Sequence, residues 1–471
     1  MTERKIFAGS RIRRLRQSLD LSQAAMAAAL GISPSYLNLV EHNQRPLTTQ
    51  LLLKLAEAYE LDLRELSGES EARLAAELSE ALVDPVFGGK RPGNAEIMET
   101  VAASPVLAQA FLTLYRAYLS DARGEVGLEM TGKHPREADE RFPVEEVRDY
   151  FHAKSNFLPE IDAAAEGLLE ALGPHDDLRD GLRKYLRDRH GIRVSTLPLH
   201  AMPNMLRRFD RHNRRLFLSE LLPVPSQLFQ MAVQVALADQ PALLDRLADE
   251  AGLSTPDARR LCRIGLANHF AGALMMPYTA FLEAAGKLRY DIIVLASRFG
   301  ASIEQVAHRL TTLRRPGQSG VPFFLLRLDN AGNISKRFSA GGFHFARFGS
   351  ACPRWRVHDA FAHPGQTLVQ PVELPDGAIY LTISRTVETV PAAYPETPRR
   401  LAISLGFEVS HLSQVVYGDG LDLGNPSAIT PIGVTCRLCE RPNCPSRAFP
   451  PVTRPLRIDA SYKNMSAFEF G

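Results

Sequence analysis

The sequence predicts a multidomain α+β protein, with an all-α head, a helical and then mixed α+β middle, and a β-rich C-terminal domain that carries a cysteine cluster. Three observations lead to this class. Apolar residues recur at helical spacing through most of the first 190 residues, short strands begin near residue 191, and strand and turn patterns dominate after residue 316. A chain of 471 residues is long enough for about three domains with apolar cores.

Composition excludes several classes of protein. Lysine and arginine total 55 against 53 aspartates and glutamates, so positive charge is local and the chain does not coat nucleic acid along its length. No apolar run reaches the roughly 18 residues of a membrane span, and the charged N-terminus lacks the apolar core of a signal peptide, so we expect a cytoplasmic protein. Five cysteines, three of them close together, favour metal or redox chemistry over a disulfide framework.

Residues 22–46 predict two short helices joined by a tight turn. Ser22 can cap the first helix, and Gly31 supplies the turn. The apolar residues of that helix recur at helical spacing as Ala25, Ala28 and Ala29. Ser33 and Pro34 suit the N-cap and the first position of the second helix. The residues expected to face inward from the second helix are Ile32, Leu37 and Val40.

The outward N-terminal end of the second helix is the part that enters a major groove in DNA-binding proteins. The spacing and content of residues 6–68 resemble the helix-turn-helix of the lambda and 434 repressor class, the XRE family. This resemblance implies that double-stranded DNA is a partner. It also implies that Gln23 and Arg45 hold phosphates, while Ser35 and Asn38, with Tyr36 and Leu39, meet base edges. The full set of predicted DNA-binding residues is Arg13, Gln23, Ser33, Ser35, Tyr36, Asn38 and Arg45.

The first helix supplies cations for phosphate binding. These basic residues are Arg4, Lys5, Arg11, Arg13, Arg14 and Arg16. The alternative is a small helical bundle that contacts proteins.

Helical spacing continues through the next part of the chain. Predicted helices span residues 48–59, 69–82, 94–120, 144–157, 161–172 and 177–189, with an exposed loop at 121–142. The long helix at 94–120 carries a dimer contact or, as the favoured alternative, packs in the core.

Short strands are predicted at 192–199, 205–210 and 214–219, and the last two form a hairpin. Arg207, Arg208 and Arg215 in this hairpin are weak candidates for binding a phosphorylated ligand. A solvated basic surface is the favoured alternative.

Two further helices, at 225–238 and 255–275, follow the hairpin. The second ends in FAGALMMP, and the order of elements resembles the zincin-like domain of the radiation-response metallopeptidases. That family carries H-E-x-x-H on the first of these helices, with two zinc-binding histidines and a glutamate base. This chain has no such motif. At the matching place, residues 229–233 read FQMAV, so we expect a ligand-binding cleft and not an enzyme. His269 and Cys262 are expected to be structural.

Residues 290–313 repeat the pattern of a helix, a glycine and then Ser-x-x-Gln, which is typical of a second helix-turn-helix. No basic segment precedes it, so we favour a packing role. After residue 321, strands are predicted over PFFLLRLD and ISKRFSA, around a turn at 330–333, and then at 342–348 and 378–387.

The segment C-R-L-C-E-R-P-N-C-P predicts a metal site, because its spacing can turn three thiolates towards one centre. These cysteines are Cys436, Cys439 and Cys444. Cys352 is the expected fourth ligand, with His358 and His363 as the next candidates. One C-x-x-C pair followed by Cys-Pro favours an iron–sulfur cluster, of the 4Fe–4S type, over a structural zinc ion or no metal. Nearby arginines (Arg437, Arg441 and Arg447) would offset the charge of such a cluster.

The combination resembles the short-chain fatty acyl-CoA regulators, of the PrpR, RamB and propionyl-CoA carboxylase regulator type. The specific part of this likeness is the C-terminal motif C-R-L-C-x-x-x-x-C-P-x-R-A-F-P-P. The resemblance implies a homodimeric or larger transcriptional regulator that senses a short-chain acyl-CoA, such as propionyl-CoA, controls propionate metabolism and holds an iron–sulfur cluster at the four cysteines. The alternatives are a DNA-binding antitoxin or scaffold with a zinc site, and a metallopeptidase.

These expectations divide the chain into four segments. Residues 1–68 form the DNA-binding head, and 69–190 form a helical linker and dimerisation region. Residues 191–315 form a degenerate zincin-like domain that binds the effector, and 316–471 form the β-rich C-terminal domain with the metal ligands.

Overall fold

The structure is a computed structural model. It describes residues 9–471 except positions 20, 43, 46, 49–50, 52–53, 56–57, 60–68, 83, 88–91, 116–117, 119–142, 174–176, 340–342, 344–350, 388–389, 393, 452–453, 460, 462, 467 and 471. The chain forms two compact units. The first comprises Met1–Leu119, Ala346–Phe348 and Phe449–Gly471, and the second comprises Ser120–Phe345 and Gly349–Ala448. The C-terminal residues 449–471, which sequence analysis assigned to the β-rich domain, therefore group with the N-terminal unit.

The first unit is mainly helical. Its described helices are α1 (Gly9–Ser18), α2 (Gln23–Leu30), α3 (Pro34–Glu41), α4 (Glu69–Ala81), α5 (Asn94–Ala103) and α6 (Pro105–Tyr115). A short antiparallel pair, β12 (Leu456–Arg457) and β13 (Glu469–Phe470), lies near its C-terminal end. The helix predicted at 48–59 falls partly outside the described residues, and the loop predicted at 121–142 falls almost wholly outside them.

Local capping signals define the helix-turn-helix as expected. The Ser22 hydroxyl accepts the Ala25 N–H at 3.1 Å, and the Ser33 hydroxyl accepts the Tyr36 N–H at 3.1 Å. Gly31 ends α2 in the left-handed conformation, with φ +61°.

The inner face of α2 is not formed by the three alanines that recur at helical spacing. Ala25, Ala28 and Ala29 are exposed. The buried residues are Met26, Ala27 and Leu30. Methionine and leucine one turn apart bury more apolar area than alanine methyls do, and they set the orientation of a helix that is apolar on all sides.

The single helix predicted for 94–120 is also wrong, because the chain turns sharply at Pro105. α5 and α6 meet at an angle of 113°. Proline has no N–H and disfavours helical geometry at the preceding residue, and Ser104 accordingly takes φ −145° and ψ 77°. No described helix alone has the length and composition of a membrane span, although α5 and α6 meet both criteria as a bent pair.

The second unit begins with helices and a small sheet. Its helices are α7 (Pro143–Ala153), α8 (Pro159–Leu172), α9 (Leu178–His190), α10 (Val224–Asp239), α11 (Pro241–Glu250), α12 (Pro256–Met275), α13 (Tyr278–Lys287), α14 (Ile292–Phe299) and α15 (Ile303–Leu310). The strands β1 (Arg193–Leu197), β2 (Arg207–Asp210) and β3 (Arg215–Ser219) pair in the order β1-β3-β2, and β2 and β3 form the predicted hairpin.

α12 is the central helix of this unit and packs against α7, α8, α10 and α11. Its buried positions include many small residues, among them Ala267, Ala271 and Ala273, which let neighbouring helices approach closely. Cys262 is fully buried in this core, as expected, and burial raises the pKa of its thiol to about 11.

The β-rich part contains a six-stranded sheet in the order β11-β8-β9-β10-β6-β7. Its strands are β6 (Phe324–Asp329), β7 (Ile334–Ser339), β8 (Leu368–Glu373), β9 (Ile379–Val387), β10 (Leu401–Glu408) and β11 (Thr430–Pro431), and a two-stranded pair, β4 (Arg314–Arg315) and β5 (Gln318–Ser319), precedes it. The hairpin of β6 and β7 and the strand β9 follow the prediction, whereas β8 and β10 were missed. The strand predicted at 342–348 lies almost entirely outside the described residues.

Candidate functional site

A buried carboxylate organises the DNA-binding head. Glu41 at the end of α3 is 4% exposed. It accepts hydrogen bonds from Arg16 Nε at 2.7 Å and from Gln23 Nε2 at 2.7 Å. Burial opposes ionisation of Glu41, but these hydrogen bonds and the Arg16 charge outweigh it, so the pKa of this carboxyl lies below its usual value.

This network connects the start of α2 to the outer surface of α3. Gln23 Nε2 also donates to Asn38 Oδ1 at 3.2 Å, which orients both amide side chains. Arg16 is the counter-ion of Glu41, so counting it among the phosphate-binding cations was wrong.

The other predicted DNA-binding residues differ in exposure. Ser35, Asn38, Arg45 and Arg13 are exposed, whereas Tyr36 packs partly against the core of the head. The Ser33 hydroxyl is used by the helix cap. Arg4 and Lys5, with the side chains of Arg11 and Arg14, lie outside the described part of the chain.

A cavity of about 790 Å³ lies within the second unit. Its walls come from α10, α12 and α15 on one side and from β7, β9 and the segment at Pro364 and Gly365 on the other. Phe229 of the sequence FQMAV lines it, so this is the cleft that the zincin-like order of elements predicted. The helices of the second helix-turn-helix pattern, α14 and α15, are integrated in this unit, and α15 buries Val306 and Leu310 while it lines the cavity.

Two histidines, His269 and His308, and two phenylalanines, Phe151 and Phe338, together form one part of the cavity wall, called the inner end below. The His269 ring stacks on Phe151 with centroids 4.9 Å apart and meets His308 edge-on at 5.4 Å. The His308 ring in turn meets Phe338 at 4.7 Å. His269 was expected to be structural and His308 was not singled out, yet both border the cavity.

Burial keeps both imidazoles neutral. Burial, reinforced by the Arg309 charge, lowers the pKa of His269 to about 3. Burial also lowers the pKa of His308 well below its usual value, with smaller contributions from His269 and Lys336. At neutral pH, each ring therefore has one N–H donor and one acceptor nitrogen.

A second part of the cavity wall, formed by Lys336, Arg385 and Gly365 and called the open end below, is positively charged, and its Lys336 is near enough to His308 to affect the pKa of that ring. Gly365 is exposed there, and the Lys336 side chain is 40% exposed. Lys336 and Arg327 both bond to Glu304, at 2.9 and 2.7 Å. Burial opposes ionisation of Glu304, but these two cations lower its pKa overall. The charged residues that line the cavity are Glu304, Arg309, Lys336 and Arg385. Because Arg309 is paired with Asp162, Lys336 and Arg385 outnumber the one carboxylate of Glu304.

The weak candidates Arg207, Arg208 and Arg215 do not line this cavity. Arg208 and Arg215 are exposed on the hairpin. Arg207 is partly buried and donates to Gln234 Oε1 of α10 at 2.5 Å.

The structure brings the four predicted metal-binding cysteines together. Cys352, Cys436, Cys439 and Cys444 line one small cavity between the segment at 352–354 and the loop at 431–447. The Cys352 sulfur accepts backbone N–H groups of Gly433 and Arg354. Burial, with the neighbouring thiols, raises the pKa of Cys352 in the absence of a cation.

Arg447 holds the cysteine loop in shape from within. It is 5% exposed and donates to the carbonyl oxygens of Cys436, Cys439 and Arg441 at 3.2, 2.9 and 2.8 Å. The histidines weighed as alternative ligands do not line this cavity. His358 hydrogen-bonds the backbone of Ala351 and Cys352, and His363 is exposed.

The four thiols are the donors of this site. Among the described residues, no three histidine, cysteine or acidic side chains are arranged to hold a single metal ion. Thiolates are ligands of structural zinc ions and of iron–sulfur clusters. The donor set of four thiols, with backbone N–H groups on a ligand sulfur, fits an iron–sulfur cluster.

Comparison with known proteins identifies the same three regions. A family model described as the short-chain fatty acyl coenzyme A regulator, C-terminal, matches residues 312–468. An IrrE N-terminal-like domain matches residues 187–311, and a helix-turn-helix matches residues 12–66. These matches confirm the fold class and each of the resemblances drawn from the sequence.

Relatives that match over nearly the whole chain are regulators of the same kind. The propionyl-CoA carboxylase regulator of Cereibacter sphaeroides is 43% identical over 467 residues, covering 99% of both chains. The transcriptional regulators RamB and PrpR of Mycobacterium tuberculosis are 41% and 39% identical over 473 residues, covering 98% and 97% of this chain and 98% and 94% of theirs. A solved structure of a Mycobacterium tuberculosis transcriptional regulator, 39% identical, matches with a TM-score of 0.66 over 69% of this chain and 99% of its own.

These relatives are regulators and not enzymes, in agreement with the missing zinc motif. This DNA-binding helix-turn-helix transcriptional regulator belongs to the short-chain fatty acyl coenzyme A regulator family.

Proposed function

We propose that this regulator controls genes of short-chain acyl-CoA metabolism, those of propionate in particular, and that an acyl-CoA is its effector. The observation that carries the proposal is the cavity of about 790 Å³, which is neutral and aromatic at its inner end and cationic at its open end. Its volume lies within the range of small-molecule sites.

The charges of the cavity match the chemistry of the ligand. An acyl-CoA carries phosphates at one end and an uncharged acyl thioester at the other. Lys336 and Arg385 at the open end can bind phosphate oxygens by charge-assisted hydrogen bonds. The inner end excludes charge, because a buried ion without a partner is costly. The acyl group therefore points towards His269 and Phe151.

On the DNA side, Ser35 and Asn38 meet base edges, and Gln23 and Arg45 contact phosphates. The bonds from Gln23 to Glu41 and Asn38 support this assignment, because they fix two of these side chains before DNA arrives. A homodimer would place two heads on half-sites about one helical turn apart. The exposed apolar residues of α6, with Val106 80% and Leu114 69% exposed, support such a contact.

The effector can act on DNA binding only if its affinity differs between two arrangements of the protein. A mobility-shift titration of the full chain on its own promoter, with and without propionyl-CoA, tests this. We expect a change in DNA affinity with propionyl-CoA and none with propionate alone. Identical affinities in all three conditions contradict acyl-CoA control.

We also propose that Cys352, Cys436, Cys439 and Cys444 hold an iron–sulfur cluster, which would supply a rigid covalent centre for the loop at 431–447. Their shared cavity and the buried Arg447, whose charge offsets thiolate charge, support this. Protein purified without oxygen should be coloured and contain iron and acid-labile sulfide. Cys439→Ser should lose the iron, whereas Cys262→Ser, in the helical core, should retain it. Stoichiometric zinc without iron would reverse the proposal.

A further inference from the structure

The two histidines at the inner end of the cavity have hydrogen-bonding capacity that the protein does not use. Within the described residues, no side-chain hydrogen bond is made by His269 or His308; their rings contact only each other and Phe151 and Phe338. Both rings nevertheless border the cavity. Neither histidine is among the described residues with buried, unpaired side-chain nitrogens, so their nitrogens are accessible from the cavity and can bond a polar atom of a ligand.

We infer that His269 and His308 hydrogen-bond the carbonyl oxygen of the acyl thioester, and that this contact makes the protein distinguish an acyl-CoA from free CoA. The inference rests on the proposed function. A neutral imidazole offers an N–H donor, which a carbonyl oxygen can accept. Free CoA ends in a thiol, which is a weak acceptor, and so offers the imidazoles no acceptor comparable to the thioester carbonyl.

The position of the pair in the cavity supports this assignment. The phosphates of CoA are drawn to Lys336 and Arg385, which line the same cavity as the two histidines. Arg309 and Thr312 near the histidines are already committed, to Asp162 and to each other. The two imidazoles are uncharged donors on the cavity lining that have no side-chain hydrogen bond among the described residues.

Phe151 lines the cavity beside His269, where its ring would limit the length of the acyl chain. Its ring lies on Gly265, where a Cβ would be 2.7 Å from the Phe151 Cε2 atom, and it stacks on His269 one turn later. The Phe151 ring is thus held against α12 at two positions one turn apart, Gly265 and His269. A small acyl group fits before it, and a longer one meets the ring.

Calorimetric titration of the full-length wild-type protein tests the inference without any mutation. The ligands are CoA, propionyl-CoA and the thioether S-propyl-CoA, which keeps the carbon chain and lacks the carbonyl oxygen. We expect propionyl-CoA to bind about tenfold more tightly than S-propyl-CoA, as the loss of a hydrogen bond to buried donors predicts. Equal affinity for these two overturns the inference, whereas no binding of any CoA ester overturns the proposed function instead.

Two variants test which residue produces the preference for propionyl-CoA over S-propyl-CoA. His308→Phe keeps a ring of similar shape and should abolish the preference for propionyl-CoA over S-propyl-CoA while binding of CoA persists. Lys336→Ala, at the open end, should weaken all three ligands by the same factor and leave the preference intact. A His308→Phe protein that keeps the full preference overturns the role of this residue.

Discussion

Arg309 and Asp162 form a buried ion pair beside the cavity, with Arg309 Nη2 2.7 Å from Asp162 Oδ1 and each side chain 4% exposed. The pair joins α15, which lines the cavity, to α8. Arg309 also donates to the Met276 carbonyl at 2.9 Å, so it connects the end of α12 to the same point. The inner wall of the cavity is therefore held by charge as well as by apolar contact.

We expect Asp162→Asn to destabilise the second unit, because Arg309 would remain charged and buried without its partner. The expected loss is about 3 kcal/mol of unfolding free energy. Thermal or denaturant unfolding of the full protein measures it. The exposed pair of Arg246 and Glu250 provides the matched control, since Glu250→Ala should cost less than about 1 kcal/mol. Equal effects of the two variants would contradict the structural importance of the buried pair.

The DNA-binding head allows base contacts and phosphate contacts to be told apart. Asn38→Ala should cost about 1–3 kcal/mol on the specific promoter and little on random duplex, because it removes a base-edge contact. Arg45→Ala should weaken binding to both duplexes alike and reduce the salt dependence by about one counterion. Binding isotherms at several salt concentrations measure both. The assignment would be refuted if Asn38→Ala weakened binding to both duplexes alike and Arg45→Ala weakened binding to the specific promoter alone.

The pKa of His269 predicts how stability depends on pH. The unfolded imidazole takes up a proton near pH 6.5, whereas the folded one does so only near pH 3. This contribution to stability is present above about pH 6.5 and is lost progressively as the pH falls towards 3. Between pH 7.5 and 5 the loss is about 2 kcal/mol from His269. Unfolding curves of wild type and His269→Gln should diverge over this window, with the variant less sensitive to acid; parallel curves would contradict it.

A substitution at Gly433 tests whether the cysteine loop binds iron without changing any of the cysteines. A Cβ at this position would be 2.7 Å from Cys439 Cβ and 2.8 Å from its sulfur. Gly433→Ala should therefore displace Cys439 and lower the iron bound per chain. Gly167→Ala, in α8 with open space at the Cβ position, serves as the control and should leave the iron content unchanged. A full complement of iron in Gly433→Ala would show that the loop tolerates the displacement.

Features encoded by neighbouring residues were predictable from the sequence. The caps at Ser22 and Ser33, and the capping box of Ser302 with Gln305, each depend on residues three positions apart. The cysteine spacing likewise identified three of the four cysteines that line the small cavity, whereas Cys352 is brought to them by the tertiary fold.

Features created by long-range packing were missed. β10 is buried on both faces over seven of its eight residues, so it lacks the alternation that marks a half-exposed strand. His269 and His308 lie on different helices, and only the packing of α12 with α15 brings their rings together. Neither histidine has a local sequence signal that separates it from a core residue.

The central position of α12 predicts how the protein would respond to a bound effector. This helix carries His269, and its buried residues pack among α7, α8, α10 and α11. A molecule seated against His269 would suppress fraying of the helix to which the whole bundle is anchored. Slower amide hydrogen exchange should then extend along Pro256–Met275 and into its neighbours, well beyond the residues that the effector touches.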